Sequence, residues 1–170
     1  MNTMRRMAVG LVVVALLAGP AWAESALSLS GRYHRDRTEF AEYPFGDGDL
    51  SYMAAWETHN EDAMIQLGAA VCPSFEDNEA LDYAITPQAN LILKDRIYRG
   101  GLGILSSYTK GDDEDDWTDM YWQFLLGLSF GLPARLTVDV FAIYPFESWG
   151  DLSDFSTDDI EFSAGLAWHF

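Results

Sequence analysis

Through most of the chain after residue 26, apolar side chains recur at every second position. That period belongs to a strand whose two faces meet different surroundings, not to a helix, whose apolar residues return every three to four. The alternation runs through eight segments: Leu27–Tyr33, Leu50–Trp56, Ile65–Val71, Tyr83–Leu93, Tyr98–Tyr108, Met120–Phe130, Leu136–Tyr144 and Ile160–Phe170. No charge falls on the apolar face. The opposite face carries Arg32, Glu57, Arg99, Asp139 and Glu161, with Ser28, Gln66, Asn90 and Gln123 among its polar residues. Alternation alone permits a soluble sandwich with the apolar face inward or a membrane barrel with that face turned to lipid.

Three features choose the barrel. Long connections at 34–49, 73–82, 110–119 and 145–159 alternate with short ones near 58–62, 95–96 and 131–135. An up-and-down barrel with both termini on one side predicts such alternation, with short inner turns and long outer loops. Aromatic residues gather at both strand ends, with Tyr33, Tyr52, Tyr83, Tyr108, Trp122 and Tyr144 toward the long loops. Trp56, Tyr98, Phe130, Trp168 and Phe170 lie toward the short turns. Amphipathic rings favour the headgroup level, so this spacing predicts two girdles. The last eight residues hold a polar Ser163, Gly165 two later, and then two alternating aromatics, Trp168 and a terminal Phe170. This ending resembles the assembly signal of bacterial outer-membrane barrels. With the features above, the chain resembles the small eight-stranded outer-membrane barrels of the OmpA-membrane-domain and OmpX type. The resemblance implies an all-β, antiparallel, up-and-down transmembrane β-barrel of eight strands in the bacterial outer membrane. It also implies, as partners, outer-membrane lipid, lipopolysaccharide and the insertion machinery that reads the terminal strand.

Residues 1–23 read as a secretory signal peptide: Arg5 and Arg6, an apolar run from Met7 to Gly19, then Ala21-Trp22-Ala23. The barrel domain is then 24–170, in which eight basic residues face 27 acidic ones. Apolar residues make up 49% and aromatics 14% of the chain. A mean hydropathy of only −0.06 excludes a bundle of transmembrane helices, and the aromatic content excludes a disordered acidic tail. A net charge of −17 argues against nucleic acid as a partner. The single cysteine, Cys72, excludes a disulfide scaffold and has no activating neighbour in sequence.

One interruption is foreseen. Pro87 lies inside the fourth strand and cannot donate a ladder hydrogen bond, which predicts a bulge or local break there. Phe141 and Ile143 put bulk on the polar face, where they would pack a filled interior.

Eight strands enclose a space just wide enough for side chains, too narrow for a nutrient pore. Arg32 and Glu161 fall near the outer ends of the first and last strands, which pair on closure. Glu57, Arg99 and Asp139 fall nearer the inner end. Buried charges should pair, as a structural polar core or a gated ion path. His34, His59 and His169 are too scattered along the strands to suggest a metal cluster. The resemblance extends to barrels that hydrolyse or transfer lipid A acyl groups with a Ser-His-acid arrangement. His34 with a loop serine such as Ser153 or Ser156 would be such an arrangement, and no local motif supports it.

Of 27 acidic residues, 20 fall in the four long connections, offset there only by Arg35, Arg37 and Lys110. The densest run is Asp112-Asp113-Glu114-Asp115-Asp116. It reads either as a solvated, aggregation-resistant loop or as a site for calcium or magnesium, which prefer carboxylate oxygens. No resident cofactor is expected. The functional expectation is a structural or surface-interaction barrel serving envelope integrity, adhesion or cation binding, in preference to an enzyme. A lipid A-modifying enzyme and a narrow ion channel are the alternatives.

Overall fold

The computed structural model describes residues 24–36, 43–76, 81–111 and 115–170, with the side chain of Asp154 excepted. The segment read as a signal peptide and Asp112–Glu114 lie outside the described residues. The strands are β1 (Glu24–Tyr33), β2 (Leu50–His59), β3 (Ala63–Cys72), β4 (Leu81–Asp95), β5 (Tyr98–Leu105), β6 (Tyr108–Gly111), β7 (Asp116–Trp117), β8 (Tyr121–Leu132), β9 (Leu136–Phe146) and β10 (Glu161–His169). Neighbours pair antiparallel in the order β3-β2-β1-β10-β9-β8-β5-β4, and β3 pairs with β4 to close the ring. The result is an all-β, eight-stranded, up-and-down barrel. β6 and β7 prolong its wall on the outer side.

The alternation sorts cleanly onto two faces. Leu29 and Leu126 are 69% and 70% exposed, whereas Gln123 and Glu161 are 0% exposed. Polar side chains fill the inside and large apolar ones cover the outside. The lumen also takes apolar bulk: Met64, Ile92, Leu125, Phe141 and Ile143 pack as one buried cluster.

At the inner end, three short turns join the strands. Asn60 accepts from the backbone N–H groups of Asp62 (2.9 Å) and Ala63 (2.6 Å), an Asx-type turn that fixes the β2–β3 hairpin. The β4–β5 turn places Arg96 at φ 54°, and the β8–β9 turn places Ala134 and Arg135 at φ 64° and 59°. The outer ends carry the long connections, including two short 3-10 turns at Asp151–Asp154 and Thr157–Asp159.

Pro87 disturbs the wall in an unexpected place. β4 runs through it without interruption, and the break falls on the partner, at Ser106 and Ser107 between β5 and β6. The pairs Gln88–Leu105 and Ile85–Tyr108 keep one offset, so no residue is inserted. The Pro87 carbonyl accepts from Ser106 N at 3.4 Å, but proline has no N–H to return the bond. The compensating bulge sits one strand further on. Between the pairs Tyr108–Trp117 and Leu105–Tyr121, one strand advances three residues and the other four. Thr118 repairs the seam: its Oγ1 accepts from Ser107 N (2.9 Å) and its N–H donates to Ser107 O (2.8 Å).

Narrowness makes some lumen-facing glycines a matter of space. A Cβ on Gly103 would lie 1.8 Å from Asn90 Oδ1, and one on Gly127 2.4 Å from Phe141 Cδ1. Gly103→Ala should therefore lower stability by about 1–3 kcal/mol through overpacking. Gly131→Ala, where a Cβ meets nothing within 4 Å, should stay within about 0.5 kcal/mol of wild type. Denaturant unfolding in detergent micelles measures both.

Candidate functional site

The lumen-facing side chains form one hydrogen-bonded column. β1 and β10 lie side by side, and Arg32 on the first reaches Glu161 on the second, Nε to Oε2 at 2.5 Å. Arg32 Nη1 donates to Gln123 Oε1 (2.9 Å) on β8. Gln123 Nε2 donates in turn to Asn90 Oδ1 (2.7 Å) and Gln88 Oε1 (2.9 Å) on β4. Asn90 Nδ2 donates to Gln66 Oε1 (2.9 Å) on β3, and Gln66 Nε2 to Glu57 Oε1 (2.8 Å) on β2. Donors thus run in one sense from a cation to an anion, through three amides.

Glu161 gathers donors at the outer end. Tyr43 donates its hydroxyl to Oε1 at 2.6 Å, and His34 Nδ1 lies 2.9 Å from Oε2. His34 Nε2 lies 2.8 Å from Ser51 Oγ. His34, one residue beyond the end of β1, stacks on Phe45 at 3.9 Å. Burial pushes its imidazole below the ordinary histidine value against the pull of Glu161. A cavity of about 40 Å³ lies below, lined in part by Arg32, His34, Ser51 and Met53.

The structure brings some expected residues together and separates others. Arg32 and Glu161 are in contact. Glu57 takes Gln66 and His59 (3.0 Å) instead of a cation from β5. Arg99 gives Nη1 to the carbonyls of Arg96 (3.0 Å) and Tyr98 (2.8 Å). It sits beside the β4–β5 turn at the inner rim, where the turn's own carbonyls take its guanidinium. His59 and His169 are not scattered. Their rings lie 5.0 Å apart at the inner mouth, because β2 and β10 both flank β1 and end at one level. His34 meets Ser51 rather than Ser153 or Ser156; Ser153 Oγ donates to the Gly150 carbonyl and Ser156 Oγ caps Asp158 N.

Of the acidic run, Asp112, Asp113 and Glu114 lie outside the described residues. Asp115 faces Tyr108 Oη (3.2 Å) and Lys110 (3.6 Å), and Asp116 accepts from Trp117 N. On the terminal strand, Ser163 is buried in the lumen. Gly165 packs closely on Ser30. Trp168 and Phe170 are exposed on the wall with ring centres 5.6 Å apart, and Phe170 meets Trp56 at 5.3 Å. The residues that sequence reasoning did not single out as a set are the amides and Gly103, which only the register of four strands brings to one level.

Breaking either member of the Arg32–Glu161 pair strands a buried charge. Arg32→Met and Glu161→Gln should each cost about 3–5 kcal/mol. The double variant should cost clearly less than the sum, which a double-mutant cycle of unfolding free energies reads directly.

Comparison with known proteins adds neighbours of similar shape. No family model and no curated protein sequence matches the chain. Among solved structures, it is similar to Ail, the attachment invasion locus protein of Yersinia pestis, at 14% identity and a TM-score of 0.49. That match covers 88% of this chain and 99% of the other. Neisserial surface protein A is similar at 12% identity and a TM-score of 0.48, over 86% of this chain and 95% of the other. A second Ail structure, in complex with the heparin analogue sucrose octasulfate, matches at 15% identity and a TM-score of 0.49, over 86% and 98%.

Proposed function

We propose that the chain is a bacterial outer-membrane barrel whose role is structural and interactive, presenting an acidic outer surface to the cell's surroundings. The observation that carries this reading is the inverted polarity of the barrel. Glu161, Gln123 and Glu57 are buried in the lumen while Leu29, Leu126, Leu93 and Phe162 stand exposed on the wall. In water such a wall would present a continuous apolar surface far beyond that of a soluble monomer; in lipid it is the required finish. The terminal Trp168 and Phe170 remain the proposed assembly signal, with the insertion machinery as their reader. The closed column of side chains favours a plugged barrel over a narrow ion path.

In the proposed setting, acidic loops lie beside anionic lipopolysaccharide. Successive carboxylates repel one another, and a hard divalent cation relieves that repulsion while bridging to lipid phosphate. Calcium or magnesium is thus the proposed inorganic partner.

The barrel should fractionate with the outer membrane and leave it only in detergent. Leu126→Arg should destabilise the lipid-inserted barrel by about 2–4 kcal/mol, measured by denaturant titration in vesicles; wild-type stability there would invert the face assignment. Gln123→Arg should also be damaging, because Gln123 accepts from Arg32 and a second guanidinium would meet the first. Planar-bilayer recordings should show no stable conductance. Changing Asp112, Asp113, Asp115 and Asp116 to Asn should remove any calcium-dependent rise in melting temperature without unfolding the barrel. Calorimetry with no calcium or magnesium heat at millimolar concentration would leave the loops as solvated surface alone.

A further inference from the structure

Ser51, His34 and Glu161 stand in a linear relay at the outer end of the lumen. The carboxylate meets Nδ1 at 2.9 Å and the hydroxyl meets Nε2 at 2.8 Å. With Nδ1–H donated to Glu161, Nε2 is the free base and accepts from the Ser51 hydroxyl. This is the atom-by-atom arrangement that turns a serine hydroxyl into a nucleophile. A second observation points the same way. Arg32 Nη2 is a buried donor with no hydrogen-bond partner among the described residues. Arg32 and Ser51 are direct cross-strand partners, and both line the 40 Å³ cavity. An unused charged donor beside a base-paired hydroxyl has the form of an oxyanion site.

We propose that Ser51 is a base-activated nucleophile that hydrolyses small carboxylic esters. Ser51 Oγ adds to the ester carbonyl carbon as its proton passes to His34 Nε2, and Glu161 holds the resulting imidazolium. The carbonyl oxygen becomes an oxyanion facing Arg32 Nη2. Collapse breaks the bond to the alkoxy oxygen, which leaves as the alcohol with the proton from Nε2. Water then repeats the sequence on the acyl-serine, releasing the carboxylic acid and restoring Ser51. The cavity admits only a short acyl group, so the substrate class is a short-chain ester and not a long lipid chain. Entry is from the outer end, where His34, Phe45 and Ser51 line the cavity. Phe45, stacked on His34, covers that route. This inference stands on lumen geometry and does not rest on the membrane reading.

The test uses the folded barrel in detergent micelles, with circular dichroism to verify folding of every variant. Methanesulfonyl fluoride, small enough for the cavity, is the covalent probe and p-nitrophenyl acetate the ester. Intact mass and peptide mapping should find one adduct, on Ser51. Ser51→Ala should lose it, and His34→Gln should slow its formation about 100-fold or more. Phe45→Ala, which uncovers the ring, should speed it several-fold. Acetate turnover should exceed that of Ser51→Ala. If neither folded wild type nor folded Phe45→Ala is labelled at Ser51, the hydrogen bond to His34 is structural and the proposal is overturned. An equal adduct on Ser51→Ala overturns it as well. Labelling without ester turnover above Ser51→Ala overturns the hydrolase assignment.

Discussion

The width of an eight-stranded barrel governs everything inside this molecule. Such a ring has room for side chains and little else, so a charge in the lumen is answered by another side chain or not at all. Arg32 and Glu161 meet because β1 and β10 pair, so the seam that closes the barrel also neutralises its most buried charges. From Arg32 the amides of Gln123, Asn90 and Gln66 lead to Glu57, all donating in the same direction. The two ends fix that direction, since a guanidinium only donates and an ionised carboxylate only accepts. Reversing any one amide would set donor against donor on one side and acceptor against acceptor on the other. Apart from Arg32 Nη2, the column is therefore satisfied as a unit, which is how buried polar networks come to specify one packing.

The wall obeys a separate economy. A closed barrel has no edge on which to place a proline, so the hydrogen bond lost at Pro87 has to be absorbed within the ring. Absorption is spread over three strands. Pro87 stays in line, Ser106 and Ser107 leave the regular ladder, and Asp119 with Met120 supply the extra residue of a bulge. Hydroxyls replace the missing ladder groups: Thr86 Oγ1 lies 2.7 Å from Ser107 Oγ, and Ser106 Oγ donates to the Thr118 carbonyl at 3.0 Å. A run of Ser and Thr beside a mid-strand proline is thus the chemical repair of that proline.

The strands were legible because the two faces of the wall carry opposite chemistry at every step, and that contrast is written at a period of two. Arg32 and Glu161 were legible for a topological reason: in a closed up-and-down barrel, the first and last strands must be neighbours. What resisted reading was anything set by the stagger between strands. Whether Gln123 stands level with Asn90 or with Thr86 depends on offsets that no local pattern carries. Ser51 escaped notice as the partner of His34 because it lies within a strand, while the loop serines looked more accessible. His59 and His169 escaped because they were placed along their strands and not across β1, although the ends of β2 and β10 flank it. Arg99 misled because its position on the polar face says nothing about the rim carbonyls within its reach.

The two ends of the barrel differ in what they leave to the chain between strands. At the inner end, short turns return each strand at once. At the outer end, residues 43–49 of the first connection pack against His34 and Glu161. Phe45 stacks on His34 and packs against Phe75 at 6.1 Å, while Tyr43 meets Tyr121 at 5.4 Å and bonds to Glu161. Asp49 ties this segment down, accepting from Gly46 N and Glu76 N at 2.8 Å each. The cap is thus joined to the charged centre by hydrogen bonds and to the wall by ring packing. Among the described residues, Tyr43 and Phe45 therefore hold the outer end of the lumen through side-chain contacts and not through strand pairing.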